Sequence, residues 1–112
     1  MSSKRYSIRI SRMIADKLNF ISSYNARSSN KEIEFIFLQA LKPDFKLDFG
    51  ISTDKSTKIQ YQGRISENLY SDIQDLATSN GRSFNQEASL LVNNYISNFE
   101  KEHGKINLEK EN

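Results

Sequence analysis

The sequence predicts an α+β, mostly helical fold: two strand-helix-helix units in one chain, their strands paired as a two-stranded antiparallel ribbon over a shared core. Three observations carry this expectation. The chain matches itself without a gap when it is shifted so that Tyr6 falls on Tyr61. Each copy opens with a short stretch that alternates apolar and polar residues, the period of a half-buried strand. Each copy then continues with apolar residues at helical spacing. The expected boundaries are a first unit over 4–42, a connector over 43–58, a second unit over 59–100 and a charged tail over 101–112.

The repeat is visible in identities and in pattern. At the shift that carries Tyr6 onto Tyr61, Arg9-Ile10-Ser11 falls on Arg64-Ile65-Ser66, and Asn25 on Asn80. Arg27-Ser28 falls on Arg82-Ser83, Asn30 on Asn85 and Glu32 on Glu87. Apolar positions follow the same shift: Ile14, Leu18 and Ile21 onto Leu69, Ile73 and Leu76, and Ile36 and Leu41 onto Leu91 and Ile96.

In the first strand Tyr6, Ile8 and Ile10 form the inner face, and Arg5, Ser7 and Arg9 the outer one. In the second, Tyr61 and Ile65 face inward with Gly63 between them, while Gln60, Gln62 and Arg64 face outward. Gly63 stands where a core side chain is expected, which predicts a weaker second strand. Ser11 and Ser66 are N-cap candidates for the first helix of each copy. Asn80-Gly81 ends that helix well in the second copy, because glycine accepts a left-handed conformation, whereas Ala26 is a poorer stop in the first. The second helices start at Ser28 or Ser29 and at Ser83. Both Ser29-Asn30-Lys31-Glu32 and Ser83-Phe84-Asn85-Gln86 have capping-box form. They are expected to run to about Leu41 and Phe99, with Pro43 stopping the first. Tyr6, Tyr61, Phe20, Phe35 and Phe37 are expected in the core rather than as platforms for stacking bases.

The connector is not a bland linker. Phe45, Leu47, Phe49 and Ile51 alternate, which predicts an extended segment with one buried face, covering the core or docking on another chain. The tail is expected to fray, with Ile106 and Leu108 as its only apolar features for a partner to bind.

Composition narrows the function. The 112 residues carry a formal net charge of +2 and are 37% hydrophobic, which suits small units that share a core. There is no cysteine, and the single histidine, His103, lies in the polar tail, so no metal site and no cofactor are expected. No phosphate-cradling glycine loop or catalytic constellation appears, so the chain does not read as an enzyme, and no small-molecule substrate is evident. No apolar run reaches membrane-spanning length and the N-terminus lacks the apolar stretch of a signal peptide. The expectation is a cytoplasmic protein, or a host-intracellular one if viral. Abundant Ile, Asn, Ser and Lys with little Pro and Gly hint at an AT-rich genome such as that of a mobile element.

The mild net charge hides a local bias. Lys4, Arg5, Arg9 and Arg12 precede the first acid, Asp16, and Lys55, Lys58 and Arg64 lie between Asp54 and Glu67 with no acid among them. Both basic clusters coincide with the expected strands. The ribbon's outer face would carry Arg5, Ser7 and Arg9 beside Gln60, Gln62 and Arg64, all hydrogen-bonding and none acidic. A two-stranded ribbon fits the major groove of double-stranded DNA, where Arg reads guanine and Gln reads adenine. The start of each second helix offers free N–H groups to a phosphate. Arg27, Ser28 and Ser29, Arg82 and Ser83, and Lys4 beside the ribbon are the expected phosphate contacts. Because the two copies differ on the outer face, the bound site should not be palindromic.

The segment Asn80-Gly81-Arg82-Ser83-Phe84-Asn85-Gln86-Glu87 resembles the turn signature of the ribbon-helix-helix superfamily of Arc and the methionine repressor. Gln60, Gln62 and Arg64, and in the first copy Arg5, Ser7 and Arg9, fall where that family places its three base-reading strand residues. The resemblance covers most of residues 4–41 and 59–99. Most members are homodimers; a chain carrying both halves is similar to fused members among plasmid conjugation proteins and viral regulators. The resemblance implies a sequence-specific transcriptional regulator, a repressor by preference, with two or more chains self-associating on a longer DNA site. Alternatives are an accessory DNA-binding protein of plasmid transfer or partition, and an antitoxin-type module that binds a protein through the segment after Phe99.

Overall fold

Alternation produces strands at both expected places, and the two strands find each other. The structure is a computed structural model that describes residues 2–47 and 56–108. Its elements are β1 (Ser3–Ser11), α1 (Arg12–Tyr24), α2 (Ser29–Ala40), β2 (Lys58–Ser66), α3 (Glu67–Ser79) and α4 (Phe84–His103). The shift that carries Tyr6 onto Tyr61 also carries β1 onto β2, α1 onto α3, and the start of α2 onto the start of α4. The fold is α+β and mostly helical, with one two-stranded antiparallel sheet.

The ladder runs from Ser3 opposite Ser66 to Ser11 opposite Lys58. It is closed at both ends by backbone bonds at positions equivalent in the repeat: Arg12 N–H donates to Thr57 O at 2.7 Å and Glu67 N–H to Ser2 O at 3.3 Å. One face of the ribbon is buried by the helices, with Tyr6, Ile8, Ile10 and Ile65 inside and Ile59 and Tyr61 partly so. Apolar side chains from both halves of the chain form a single cluster, which includes Leu18, Ile21 and Phe37 from one and Ile73, Leu91 and Val92 from the other. Full burial of each such side chain stabilises by roughly 1.5–3 kcal/mol against leaving it in water.

Serines start each of the four helices among the described residues. Ser11, Ser28, Ser66 and Ser83 each accept the N–H of the third residue on, and Ser83 with Gln86 completes a capping box. The expected box at Ser29 does not form. Ser28 is the cap, and Glu32 turns inward instead, fully buried.

The first helices end in the same left-handed turn. Arg27 N–H reaches Ser22 O and Arg82 N–H reaches Ala77 O, both at 2.8 Å. The residue at the bend is Ala26 in one case, with φ 56°, and Gly81 in the other, with φ 71°. Ala26 therefore stops its helix in the same way as Gly81, at the steric cost of a Cβ in the left-handed region.

Four further expectations change. Gly63 does not leave a gap that weakens β2. It lies opposite Tyr6, and a Cβ there would fall on the Tyr6 hydroxyl and the Asn30 amide oxygen, with Tyr6 Cζ at 2.7 Å. The Tyr6 ring fills the space, and its hydroxyl donates to Asn30 Oδ1 at 3.2 Å. Phe20 is 44% exposed rather than core, since one step along α1 from the buried Ile21 rotates it about 100° off the inner face. Phe35 is only partly buried and lies outside the core cluster, beneath the Arg27 guanidinium. The start of the tail does not fray: α4 extends to His103, and Ile106 is buried with its N–H donating to Glu100 Oε2 at 2.9 Å.

In the connector, Phe45 and Leu47 pack partly buried against the core, as alternation suggested, but without forming a strand. The rest of that pattern, Phe49 and Ile51, lies outside the described residues. Among the described residues no helix is long and apolar enough to cross a membrane.

Ala26 and Gly81 make a matched test. Ala26→Gly should raise stability by about 0.5–1 kcal/mol, relief of left-handed strain exceeding the added chain entropy, and Gly81→Ala should lower it by a similar amount. Urea denaturation of the two variants, with opposite shifts of midpoint, is the check.

Candidate functional site

The pleat sends Arg5, Ser7 and Arg9 of β1, and Gln60, Gln62 and Arg64 of β2, to the side away from the helices, and all six are exposed. The register then decides which of them meet. Arg5 lies opposite Arg64, Ser7 opposite Gln62, and Arg9 opposite Gln60. Ser7 Oγ donates to Gln60 Oε1 at 2.5 Å, and Arg64 Nη1 donates to Ser3 Oγ at 3.4 Å. Like charges directly opposite on a sheet face are unfavourable. Among the described residues no acid pairs with Arg5, Arg9 or Arg64. The face thus holds arginines at neighbouring positions with no acid partner among the described residues.

The backbones of two of these arginines are clasped from the side. Asn30 accepts the Arg64 N–H through Oδ1 at 2.8 Å and donates through Nδ2 to the Arg64 carbonyl at 2.7 Å. Asn85, its equivalent in the repeat, accepts the Arg9 N–H at 2.7 Å, and Ser89 Oγ donates to the Arg9 carbonyl at 3.3 Å. Each asparagine sits at the start of a helix in the half of the chain that does not own the strand it holds. The clasp satisfies backbone groups on the open edges of the ribbon. It also turns the Arg64 N–H and C=O away from Arg5, so these two residues form a non-hydrogen-bonded pair. The Cα atoms of such pairs approach to about 4.5 Å. The repeat marked Asn30 and Asn85 as equivalent, but helix-start chemistry alone gave no reason to connect them to the strands.

The expected phosphate contacts lie off this face, Arg82 lining a groove with Arg9 at one end of it. Ser28 and Ser83 are spent as helix caps, and Ser29 donates to Asn19 Oδ1 at 2.9 Å, an atom that also accepts the Tyr61 hydroxyl. Arg27 and Arg82 each pair with a buried acid: their guanidiniums reach Glu32 at 3.0 Å and Glu87 at 2.9 Å, carboxylates that are 0% and 1% exposed. Asn25 and Asn80 add a second hydrogen bond to each carboxylate. Arg27 also lies over the Phe35 ring at 4.0 Å. The Tyr95 hydroxyl donates to Glu32 Oε2 at 2.5 Å, and burial together with this carboxylate pushes its pKa up to about 12. Lys4 is seated over the ring of Tyr70 at 4.7 Å, and Tyr70 stacks on Phe84.

Both ends of the ribbon abut a helix start, with different charge. At the start of α4 a shallow groove is lined by Arg9, Lys58, Arg82, Asn85, Gln86, Ser89 and Leu90, with no acid among the described residues that line it. At the start of α2, Lys31 is paired with Glu34 at 3.1 Å. Lys58 was part of a basic cluster in the sequence, but its place beside Arg9 depends on the pairing of the two strands. Among the described residues no group of acids, histidines or cysteines could hold a metal ion.

The chain matches no protein-family model, no curated protein and no solved structure.

The division between arginines paired with a buried acid and arginines with no acid partner among the described residues is open to measurement. Arg82→Ala leaves Glu87 buried beside Asn80 alone and should cost about 3–5 kcal/mol of stability. Arg9→Ala removes an exposed side chain and should stay within about 0.5 kcal/mol. Equal losses in urea denaturation would contradict the assignment.

Proposed function

We propose that this chain is a sequence-specific regulator that binds double-stranded DNA, a tandem ribbon-helix-helix protein whose two halves stand in for the subunits of a dimer. The observation that carries the reading is the outer face of the ribbon. Arg5 stands opposite Arg64 and Arg9 opposite Gln60, no acid pairs with the arginines among the described residues, and all six reading positions are exposed. A fold that keeps two guanidiniums opposite each other gains nothing in stability from them, and an anionic partner removes the repulsion. A two-stranded ribbon has the width to enter the major groove, where arginine and glutamine side chains make bidentate contacts with guanine and adenine. The backbone clasps of Asn30 and Asn85 hold Arg64 and Arg9 in place before DNA arrives, which lowers the ordering cost of binding.

The geometry disfavours binding of single strands, which uses exposed aromatic platforms on a sheet. Here Tyr6 is buried and the Tyr61 hydroxyl is bonded to Asn19 on the helix side. Phosphate contacts fall most naturally to Lys58 and the first N–H groups of α4, with Arg82 held beside them by Glu87. Repression is the regulatory outcome that a protein occupying the groove achieves most directly. Two or more chains then associate along a longer site in the cytoplasm. An accessory role in plasmid transfer or partition would use the same face. An antitoxin role is supported less, because Ile106, in the segment after Phe99 that a toxin would bind, is packed into the core.

Selection of bound duplexes from a random library at two salt concentrations tests the proposal. A defined site, with affinity falling steeply as salt rises, is the expected result. Recovery of no preferred sequence at either salt rejects it. Arg9→Ala and Arg64→Ala should each cost about 1–3 kcal/mol in binding to the selected site. Unchanged affinity in both variants would remove the base-reading role from this face.

A further inference from the structure

The register contains information about the site that the outward residues taken singly do not. Ser7 and Gln62 are partners across the ribbon and also equivalent positions of the repeat. They therefore mark its centre, about which the two strands correspond. The repeat carries Arg9 onto Arg64 and Arg5 onto Gln60. On one side of the centre Arg5 faces Arg64; on the other Arg9 faces Gln60. Among the four reading positions that flank the centre, one substitution separates the two ends: arginine at 5, glutamine at 60.

We infer that the ribbon reads an oriented, non-palindromic site, and that Gln60 is the residue that sets its orientation. The inference rests on the DNA-reading proposal above. At the Arg5–Arg64 end two arginines stand opposite each other, and each makes its best bidentate contact with guanine O6 and N7, so this end selects guanines. At the other end Arg9 selects guanine. Gln60 selects adenine, accepting from N6 and donating to N7. Ser7 acts as a positioning residue for this end: its hydroxyl donates to Gln60 Oε1 at 2.5 Å, which holds the carboxamide across the strand and leaves its amino group free to donate. The flanks also differ: Lys58, opposite Ser11, adds a cation at the Gln60 end where its equivalent in the first copy is the neutral Ser3, and Lys4, whose equivalent is Ile59, adds one at the Arg5–Arg64 end.

The correspondence of the strands supplies the experiment. Gln60→Arg gives both ends two opposed arginines, and Arg5→Gln gives both ends an arginine opposite a glutamine. Both positions are exposed on the outer face, and opposed arginines are already tolerated at Arg5–Arg64. Duplexes selected from a random library by the full-length wild type should be non-palindromic, with a guanine-rich end and an adenine-containing end. Gln60→Arg should select an inverted repeat of the guanine-rich end, and Arg5→Gln an inverted repeat of the other end, the central base pairs aside. Each variant should prefer its own palindrome over the wild-type site by about tenfold or more. A palindromic wild-type site, or recovery of the wild-type site by a folded variant, overturns the inference and leaves DNA reading intact. If one variant does not fold, the other decides. If none of the three proteins enriches any sequence, the DNA-reading proposal itself fails.

Discussion

Everything in this molecule depends on the pairing of β1 with β2. Each strand has no other ladder partner among the described residues, so a chain that left them apart would strand two rows of backbone donors and acceptors. The pairing brings together residues from opposite halves of the chain, from Ser3 with Ser66 to Ser11 with Lys58. That is an entropically distant closure, but the connector makes it intramolecular, which raises the effective concentration of each strand for the other. Once the ribbon forms, its inner face presents Tyr6, Ile8, Ile10 and Ile65, and the helices have a common surface on which to bury. The same event aligns the outer face. Core and candidate site are two sides of one ladder, and a slip of one residue would exchange them.

A second constraint sorts the cations. Glu32 and Glu87 are buried at the starts of α2 and α4, and each needs a partner. Arg27 and Arg82 supply it, each from the turn that leads into the helix. A buried carboxylate without its arginine is costly, so these guanidiniums are held by the fold and contribute charge to the surface only from a fixed position. Arg5, Arg9 and Arg64 carry no such obligation. Arginines that look alike in a sequence therefore divide into two kinds, and the division follows from which of them lies beside a buried acid.

The asparagines join the two constraints. Asn30 and Asn85 sit in the first turns of α2 and α4, just ahead of the buried glutamates, and each reaches across to the backbone of an arginine in the other half of the chain. Gly63 belongs to the same arrangement, because Tyr6 and Asn30 occupy the space a side chain would take. What reads as a weak point along β2 is the place where the second helix of one half docks onto the strand of the other.

Much of this was legible in the order of residues. Alternation determined the two strands and their faces, serine caps and apolar spacing determined the helices, and the self-match of the chain determined that it is built twice from one pattern. These are local properties, set by steric preference and by burial at a fixed period, and they need no knowledge of neighbours in space. Tertiary structure alone decided the rest. The register placed Arg5 against Arg64 and Gln60 against Arg9. Burial of Glu32 and Glu87 tied up Arg27 and Arg82. Docking of Ile106 and the outward turn of Phe20 set the edges of the core. Each of these depends on which residues distant in sequence become neighbours, and the free energy of a buried charge, a strand pair or a filled space exists only once those neighbours have met.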